Sequence, residues 1–238
     1  MKFLIYYTVG ILIFNMYKEK AIKILTDNTK YAKDDITKIS DGSCGYSNTN
    51  FFVDLKDGKK FTIRVANYGK VHKDGKVLYD RENEYLVSTS LGKKYIYYNH
   101  KTGDFITNYI NGICYELSSD SSAKAIAERN KVIYSKNYLT SSGKKLKKLH
   151  NCKITDKITQ HNKFFGSNTD LYKKIIPLKY QDALEKIANK YQTTDLVPTH
   201  YDIGTQNIIY DKKTNNLEFI DFELSTVESK FWDIAYFL

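Results

Sequence analysis

The chain has 238 residues, 42% of them apolar, and a net charge of +10 at pH 7. That length suits one large domain or two small lobes, and the apolar share supports a sizeable core, which excludes a chain disordered throughout. The charge comes mostly from dispersed Lys, with no long Lys/Arg block interleaved with aromatics, so it reads as composition and no nucleic-acid partner is expected.

Residues 3–14 form an apolar run of 12 behind a single Lys. A membrane span needs about 20 such residues, and no small-x-small cleavage site follows. The run is read as a weak anchor or as an extension outside the fold, and membrane contact is not expected. Residues 17–34 place Tyr17, Ala21, Ile22 and Leu25 near helical spacing, which predicts a short amphipathic helix.

A strand-rich region follows. Residues 35–40 alternate, and 42–50 are small and polar, which predicts a loop. Residues 51–55 and 61–66 read as two strands of a hairpin turned at Lys56-Asp57-Gly58-Lys59. A helix is expected within 78–91, with a stripe of Leu78, Tyr85 and Leu86, and then a second hairpin over 95–98 and 105–109. After Gly112 the pattern turns helical, over 123–134, 144–150 and 180–191. The last strands are expected at 207–210 and 217–222, joined by a polar turn.

Cys44, Cys114 and Cys152 are odd in number and lack metal or redox spacing, so a reducing, cytoplasmic setting without a disulfide framework is expected. The five histidines are equally scattered, and no zinc site is expected.

The stretch THYDIGTQNIIYDKKTNNLEFIDFE, residues 199–223, concentrates the chemistry. Asn207 opens one short strand and Asp221 closes the next, so both should emerge on one edge of a hairpin. An amide oxygen and a carboxylate there suit Mg²⁺, which takes few protein oxygens and adds phosphate. Asp202, on the loop feeding that strand, would be placed to accept a proton from an attacking hydroxyl, and His200 to brace the loop. This is the spacing of a phosphotransferase catalytic loop, H-x-D-x-x-x-x-N, with an Asp-Phe-x metal site after it. An ordinary β-hairpin with polar ends is the alternative for each residue taken alone.

Together with other motifs, this stretch resembles the choline/ethanolamine kinase and aminoglycoside phosphotransferase superfamily, and within it bacterial choline kinases of the LicA type. CGYSNTNFFV (44–53) resembles its phosphate-contacting turn, FTIRV (61–65) its basic strand, DRENEY (80–85) its N-R-x-x-E helix, and FITNYING (105–112) its hinge. LKKLH (146–150), FIDFE and DIAYFL (233–238) follow in the superfamily's order, so the likeness runs from about residue 36 to the end.

The resemblance implies an α+β, two-lobed protein-kinase-like fold: an antiparallel sheet with one inserted helix, then a mainly helical lobe with a catalytic-loop hairpin. The expected divisions are 1–16, an apolar segment of unassigned role; 17–110, a nucleotide-binding lobe; and 111–238, a catalytic lobe read as truncated. It implies ATP and Mg²⁺ as cofactors and a small amino alcohol, choline first, as substrate. An aminoglycoside or other small-molecule kinase, or a weakened nucleotide-binding remnant, are the alternatives.

Asp202 would be the base, Asn207 and Asp221 the metal ligands, and Arg64 the phosphate cation paired to Glu84. Ser47 and Asn48 would fold over phosphates, while Thr107, Tyr109 and Ile110 would line the adenine hinge, whose backbone amides face the base. Glu223 and Trp232 would be acceptor contacts, and Asp233 a brace for the loop or a further acceptor contact. Two positions depart from the family pattern: Tyr201 stands where Asn, Gly or Arg is usual, and Cys44 where Gly is usual.

Overall fold

A computed structural model describes residues 2–42, 48–66, 80–115, 122–159 and 196–237, with Pro177, Lys179 and Asp182 between, and only the backbone before Phe14. Helix α1 spans Lys2–Asn28. It is one continuous helix through the apolar run and the amphipathic segment, which sequence periodicity had separated. It also ends six residues earlier than the predicted 34, because side chains cap its carbonyls: Asn28 Nδ2 donates to Ile24 O at 2.8 Å and Thr29 Oγ1 to Leu25 O at 2.7 Å. Residues Lys33–Asp35 form a single 3₁₀ turn instead.

Five strands follow: β1 (Ile36–Asp41), β2 (Asn48–Leu55), β3 (Lys60–Ala66), β4 (Tyr95–Tyr98) and β5 (Phe105–Asn108). They form one antiparallel sheet in the order β1-β2-β3-β5-β4. The β2–β3 hairpin forms because its residues alternate. Phe51, Val53 and Leu55 on one strand and Phe61, Ile63 and Val65 on the other turn the same face inward. Ala21, Ile24 and Leu25 of α1 cover that face. Each such buried side chain contributes about 1.5–3 kcal/mol, so this face carries much of the first lobe's stability. The turn depends on Gly58, at φ 81°, where a side chain would be strained.

Helix α2 (Arg81–Ser90) is inserted between β3 and β4, started by Asp80, whose carboxylate accepts from the amides of Glu82 and Asn83 at 3.0 Å. Its buried positions are Asn83, Glu84, Val87 and Ser88. The predicted stripe of Tyr85 and Leu86 is only half-buried. The difference has a physical cause: this helix buries polar groups that find partners on both sides of it.

The second lobe contains β6 (Ile113–Cys114), α3 (Ala123–Ile133), α4 (Lys136–His150), β7 (Leu196–Thr199), β8 (Ile208–Asp211), β9 (Asn216–Phe219), β10 (Thr226–Ser229) and α5 (Lys230–Phe237). Strands β6-β8-β9 form one small sheet and β7-β10 another. Of these, β6, β7, β10 and α5 were not expected from sequence, and α4 begins eight residues earlier than predicted. Of the expected helix over 180–191 only Asp182 is among the described residues, and it is helical; the rest lies outside them. The second core gathers Tyr138, Leu146, Leu149, Ile203, Ile208, Leu217, Phe219 and Phe222, and Val87 and Leu91, from α2 and the residue after it, join it. So α2, part of the first lobe by chain order, is packed into the core of the second. Among the described residues, no helix is long and apolar enough to cross a membrane.

Candidate active site

The β8–β9 hairpin places the first group of residues. Its turn is held by Asp211, which accepts from Lys213 N at 2.9 Å and Thr214 Oγ1 at 2.8 Å, and by Asn215 at φ 56°. Ile208 pairs with Phe219, and Ile220 N donates to Asn207 O at 2.9 Å. Asn207 closes a 3₁₀ turn, Thr205–Asn207, immediately before the strand. Asn207 and Asp221 therefore leave the hairpin at the same end. Asn207 Nδ2 donates to Asp202 O at 2.8 Å and to its Oδ2 at 3.1 Å, so the loop carboxylate is tied to the same point.

A second layer holds the loop. His200 is fully buried, and its Nε2–H donates to Ile220 O at 2.8 Å. Burial lowers its pKa, so the ring is neutral, and Nδ1 has no hydrogen-bond partner among the described residues. Asp233, from α5, is also fully buried; it accepts from His200 N at 3.1 Å, Tyr201 N at 2.9 Å and His150 Nε2 at 2.9 Å. Tyr201 is thereby held at φ 73°, a conformation costly for a bulky residue. Its ring stacks on Trp232 at 4.6 Å and 10°, and Trp232 Nε1 donates to Tyr201 O at 3.1 Å. The departure at Tyr201 is thus accommodated, the ring leaning on α5. Asp221 also has a positive φ, 62°, so among the described non-glycine residues the two left-handed positions besides Asn215 both flank the candidate centre.

The facing wall comes from the first lobe. Arg64 donates to both oxygens of Glu84, at 2.6 and 2.7 Å, and to Gly103 O from Nε and NH2 at 2.9 and 2.7 Å. It also lies 3.7 Å from Asp221 Oδ1, which brings this wall to the Asp221 end of the hairpin. Arg64 and Glu84 are both almost wholly buried. Burial by itself would raise the Glu84 carboxyl, but the Arg64 guanidinium overrides it and holds the group at about 2. Burial disfavours the Arg64 cation too, and Glu84 again overrides it, raising its pKa.

Arg81 NH1 lies 2.9 Å from Glu84 Oε2 and 3.2 Å from Glu223 Oε2, which also accepts from Asn48 Nδ2 at 2.8 Å.

Asp221 carries the observation that points to a cation. Its side chain is 32% exposed. Burial first, then the Glu223 carboxylate, push its pKa up to about 7 against the pull of Arg64. A divalent ion would relieve that excess of negative charge. Among the described residues there is no cluster of three or more His, Cys, Asp or Glu side chains that could hold a metal. Asp221 with the Asn207 amide oxygen would make a two-ligand set, of the kind Mg²⁺ takes with its other positions filled by water and phosphate.

Of the remaining predicted residues, Thr107 is buried in β5, opposite Thr62 of β3 and Tyr95 of β4. Tyr109 is half-buried, with Phe52 at 5.0 Å and Lys60 Nζ 4.2 Å over its ring, and Ile110 beside it is half-buried. Ser47 and Cys44 lie outside the described residues. Glu223, expected as an acceptor contact, is buried between Asn48 and Arg81 and faces the first lobe. Sequence reasoning passed over Arg81 and Gly103. The signal for Arg81 was present in DRENEY, because its i,i+3 spacing puts it on the same helix face as Glu84.

The choline/ethanolamine kinase family matches residues 36–238. An uncharacterized protein of Mycoplasma pneumoniae, the MG356 homolog, is 24% identical over 228 residues, covering 92% of this chain and 71% of that one. Two solved structures share the fold. Ethanolamine kinase Pv091845 of Plasmodium vivax superposes with a TM-score of 0.59 at 20% identity, covering 88% of this chain and 62% of that one. Choline kinase LicA of Streptococcus pneumoniae gives 0.57 at 17%, covering 94% and 73%. The chain thus spans somewhat under two thirds of the length of the first of these structures.

Proposed function

Because the chain belongs to the choline/ethanolamine kinase family, we propose that it is an ATP- and Mg²⁺-dependent phosphotransferase acting on the hydroxyl of a small amino alcohol, choline first. The observation that carries this reading is the convergence of Asp202, Asn207 and Asp221 at one end of a hairpin, with Arg64 3.7 Å from Asp221 across the cleft. Phosphoryl transfer asks little covalent chemistry of a protein; it asks for positioned groups and charge stabilisation.

In this reading Asp202 accepts the proton of the acceptor hydroxyl, held in place by Asn207 Nδ2. Asn207 and Asp221 would hold Mg²⁺, whose charge offsets that of the nucleotide phosphates. Arg64, kept in register by Glu84, adds a fixed cation beside them, and Asn48 borders the phosphates at the start of β2. The hinge at Thr107, Tyr109 and Ile110 would border the adenine; the Tyr109 amide, expected to face the base, instead donates to Lys60 O at 2.9 Å. His200 and Asp233 act through the loop backbone.

The acceptor side rests on Trp232, stacked with Tyr201 beside Asp202. Tyr236 faces Asp202 as well, and that carboxylate, with burial second, pushes its phenol up to about 12. Aromatic faces near the base suit a quaternary ammonium. The test is ATP consumption against choline, ethanolamine and an aminoglycoside, with Asp202→Ala as control. Turnover with choline or ethanolamine that is lost in the variant is expected. Turnover only with the aminoglycoside would reassign the acceptor, and turnover with none would leave a nucleotide-binding remnant.

A further inference from the structure

Besides the Arg64–Glu84 pair, one more side chain, Arg81, links the elements that border the cleft. Helix α2 is fastened to the second lobe. Val87, with Leu91 just beyond the helix, lies in that lobe's core. The Asn83 amide donates to Thr159 O at 2.8 Å and Ser225 O at 3.2 Å and accepts from Thr159 N at 2.9 Å. Lys148 Nζ donates to Leu91 O at 3.0 Å. The helix therefore moves with the catalytic lobe, and the first-lobe sheet must be registered against it through side chains.

Glu84 registers β3 by holding Arg64. For β2 the direct link is Asn48 Nδ2, which donates to Glu223 Oε2 at 2.8 Å, and Arg81 holds that same carboxylate oxygen at 3.2 Å. The Arg81 side chain is 10% exposed. NH1 lies within reach of Glu84 and of Glu223, and NH2 is 3.5 Å from Asn48 Oδ1. One guanidinium thus joins α2, the first residue of β2 and the segment two residues past Asp221. Its placement is enforced from behind. A Cβ on Gly103, at φ 81°, would lie 2.7 Å from Arg81 Cδ and Cζ, so the bare glycine makes room for the arginine. The same glycine's carbonyl accepts from Arg64. Tyr98 Oη lies 2.8 Å from Arg81 O and 3.1 Å from Glu84 Oε2, its single proton serving one or the other, which ties β4 to α2.

We propose that Arg81 is a positioning residue that sets the phosphate-facing end of β2, at Asn48, against the segment that carries Asp221, by holding the Glu223 carboxylate where it receives Asn48. This rests on the kinase reading above. A planar fork is required, since three partners in different directions are served by one side chain, and a lysine ammonium cannot reproduce that.

The consequence is selective. Loss of Arg81 should disturb the nucleotide's phosphates and leave its adenosine end, which meets the β5 hinge, alone. The experiment compares binding of MgATP, MgADP and adenosine by calorimetry in wild type, Arg81→Met and Arg81→Lys. ATP and ADP affinity should fall by about tenfold or more in Arg81→Met with adenosine affinity unchanged, and Arg81→Lys should restore only part of the loss. A merely structural role would weaken all three ligands together or none, and either result overturns the proposal. If Arg81→Met does not fold, Glu223→Gln decides: it keeps the guanidinium and weakens its bridge, and the same phosphate-selective loss, smaller in size, is expected. Unchanged ATP affinity in Glu223→Gln would then overturn the proposal. Absence of MgATP binding by the wild-type chain would overturn the kinase reading and this one with it.

Discussion

The inner face of the five-stranded sheet and the ionic cluster around Arg64 and Glu84 are both buried, yet they are built from opposite materials. The first is made of Phe51, Val53, Leu55, Phe61, Ile63 and Val65 against α1. The second buries Arg64, Glu84, Arg81 and Glu223 in contact with one another. Apolar burial is non-directional and tolerates small shifts, so it stabilises without fixing a register to a fraction of an ångström. Buried ion pairs add little net stability, because desolvation offsets their attraction, but they work only in one geometry. The sheet face holds the lobe together, and the ionic cluster sets where its strands stand.

That contrast can be broken at graded points. The largest effect is expected where position becomes chemistry: Asp202→Ala should lower turnover by about 10²–10⁴-fold, the usual worth of a general base, with the melting temperature nearly unchanged. A loss of folding in that variant would show the loop to be structural.

Next come two substitutions of similar cost and different kind. Phe51→Ala and Glu84→Ala should each destabilise by about 3–5 kcal/mol, the first by leaving a cavity and the second by leaving a buried guanidinium without its carboxylate. Denaturant titration measures both. Only Glu84→Ala should also weaken MgATP binding, so a matching loss in a folded Phe51→Ala would erase the distinction between the two regions.

The pair also carries a pH signature. Glu84 is held at about 2 in the fold against its ordinary 4.5. A depressed carboxyl contributes stability that is full above the unfolded value and is lost as the pH falls through the folded one. The stability difference between wild type and Glu84→Gln should therefore shrink across that window, from 4.5 down to about 2. A difference that stays constant over this range would mean that Glu84 is not held as the anion. The smallest effect is expected at Asp80, where removal of the α2 cap by Asp80→Ala should cost about 1 kcal/mol and leave the second-lobe contacts of Asn83 in place.

Much of this was legible along the chain. Alternation predicted the β2–β3 and β4–β5 hairpins, and the spacing of Asp202, Asn207 and Asp221 predicted that a hairpin would gather them. Helical periodicity was less informative where it mattered most. In α2 the buried face holds Asn83 and Glu84, so a search for apolar stripes pointed at Tyr85 and Leu86 on its flank. The short strands β7 and β10 pair over 27 residues of sequence, through Thr226 and Thr199, and neither has a pattern of its own to betray it.

What the sequence determined by itself were the local periods and the order of the chemical groups, because φ/ψ preference and two-residue alternation act between near neighbours. Only the tertiary structure decided that α2 is packed into the second lobe, that Glu223 turns to Arg81 and Asn48, and that Asp233, for which a brace and an acceptor contact were both open, accepts from the loop of His200 from a helix 32 residues beyond Tyr201. Each of those is a directional contact between distant segments. A charged group's partner is fixed by which surfaces the two cores bring face to face, and no local pattern in the chain records that.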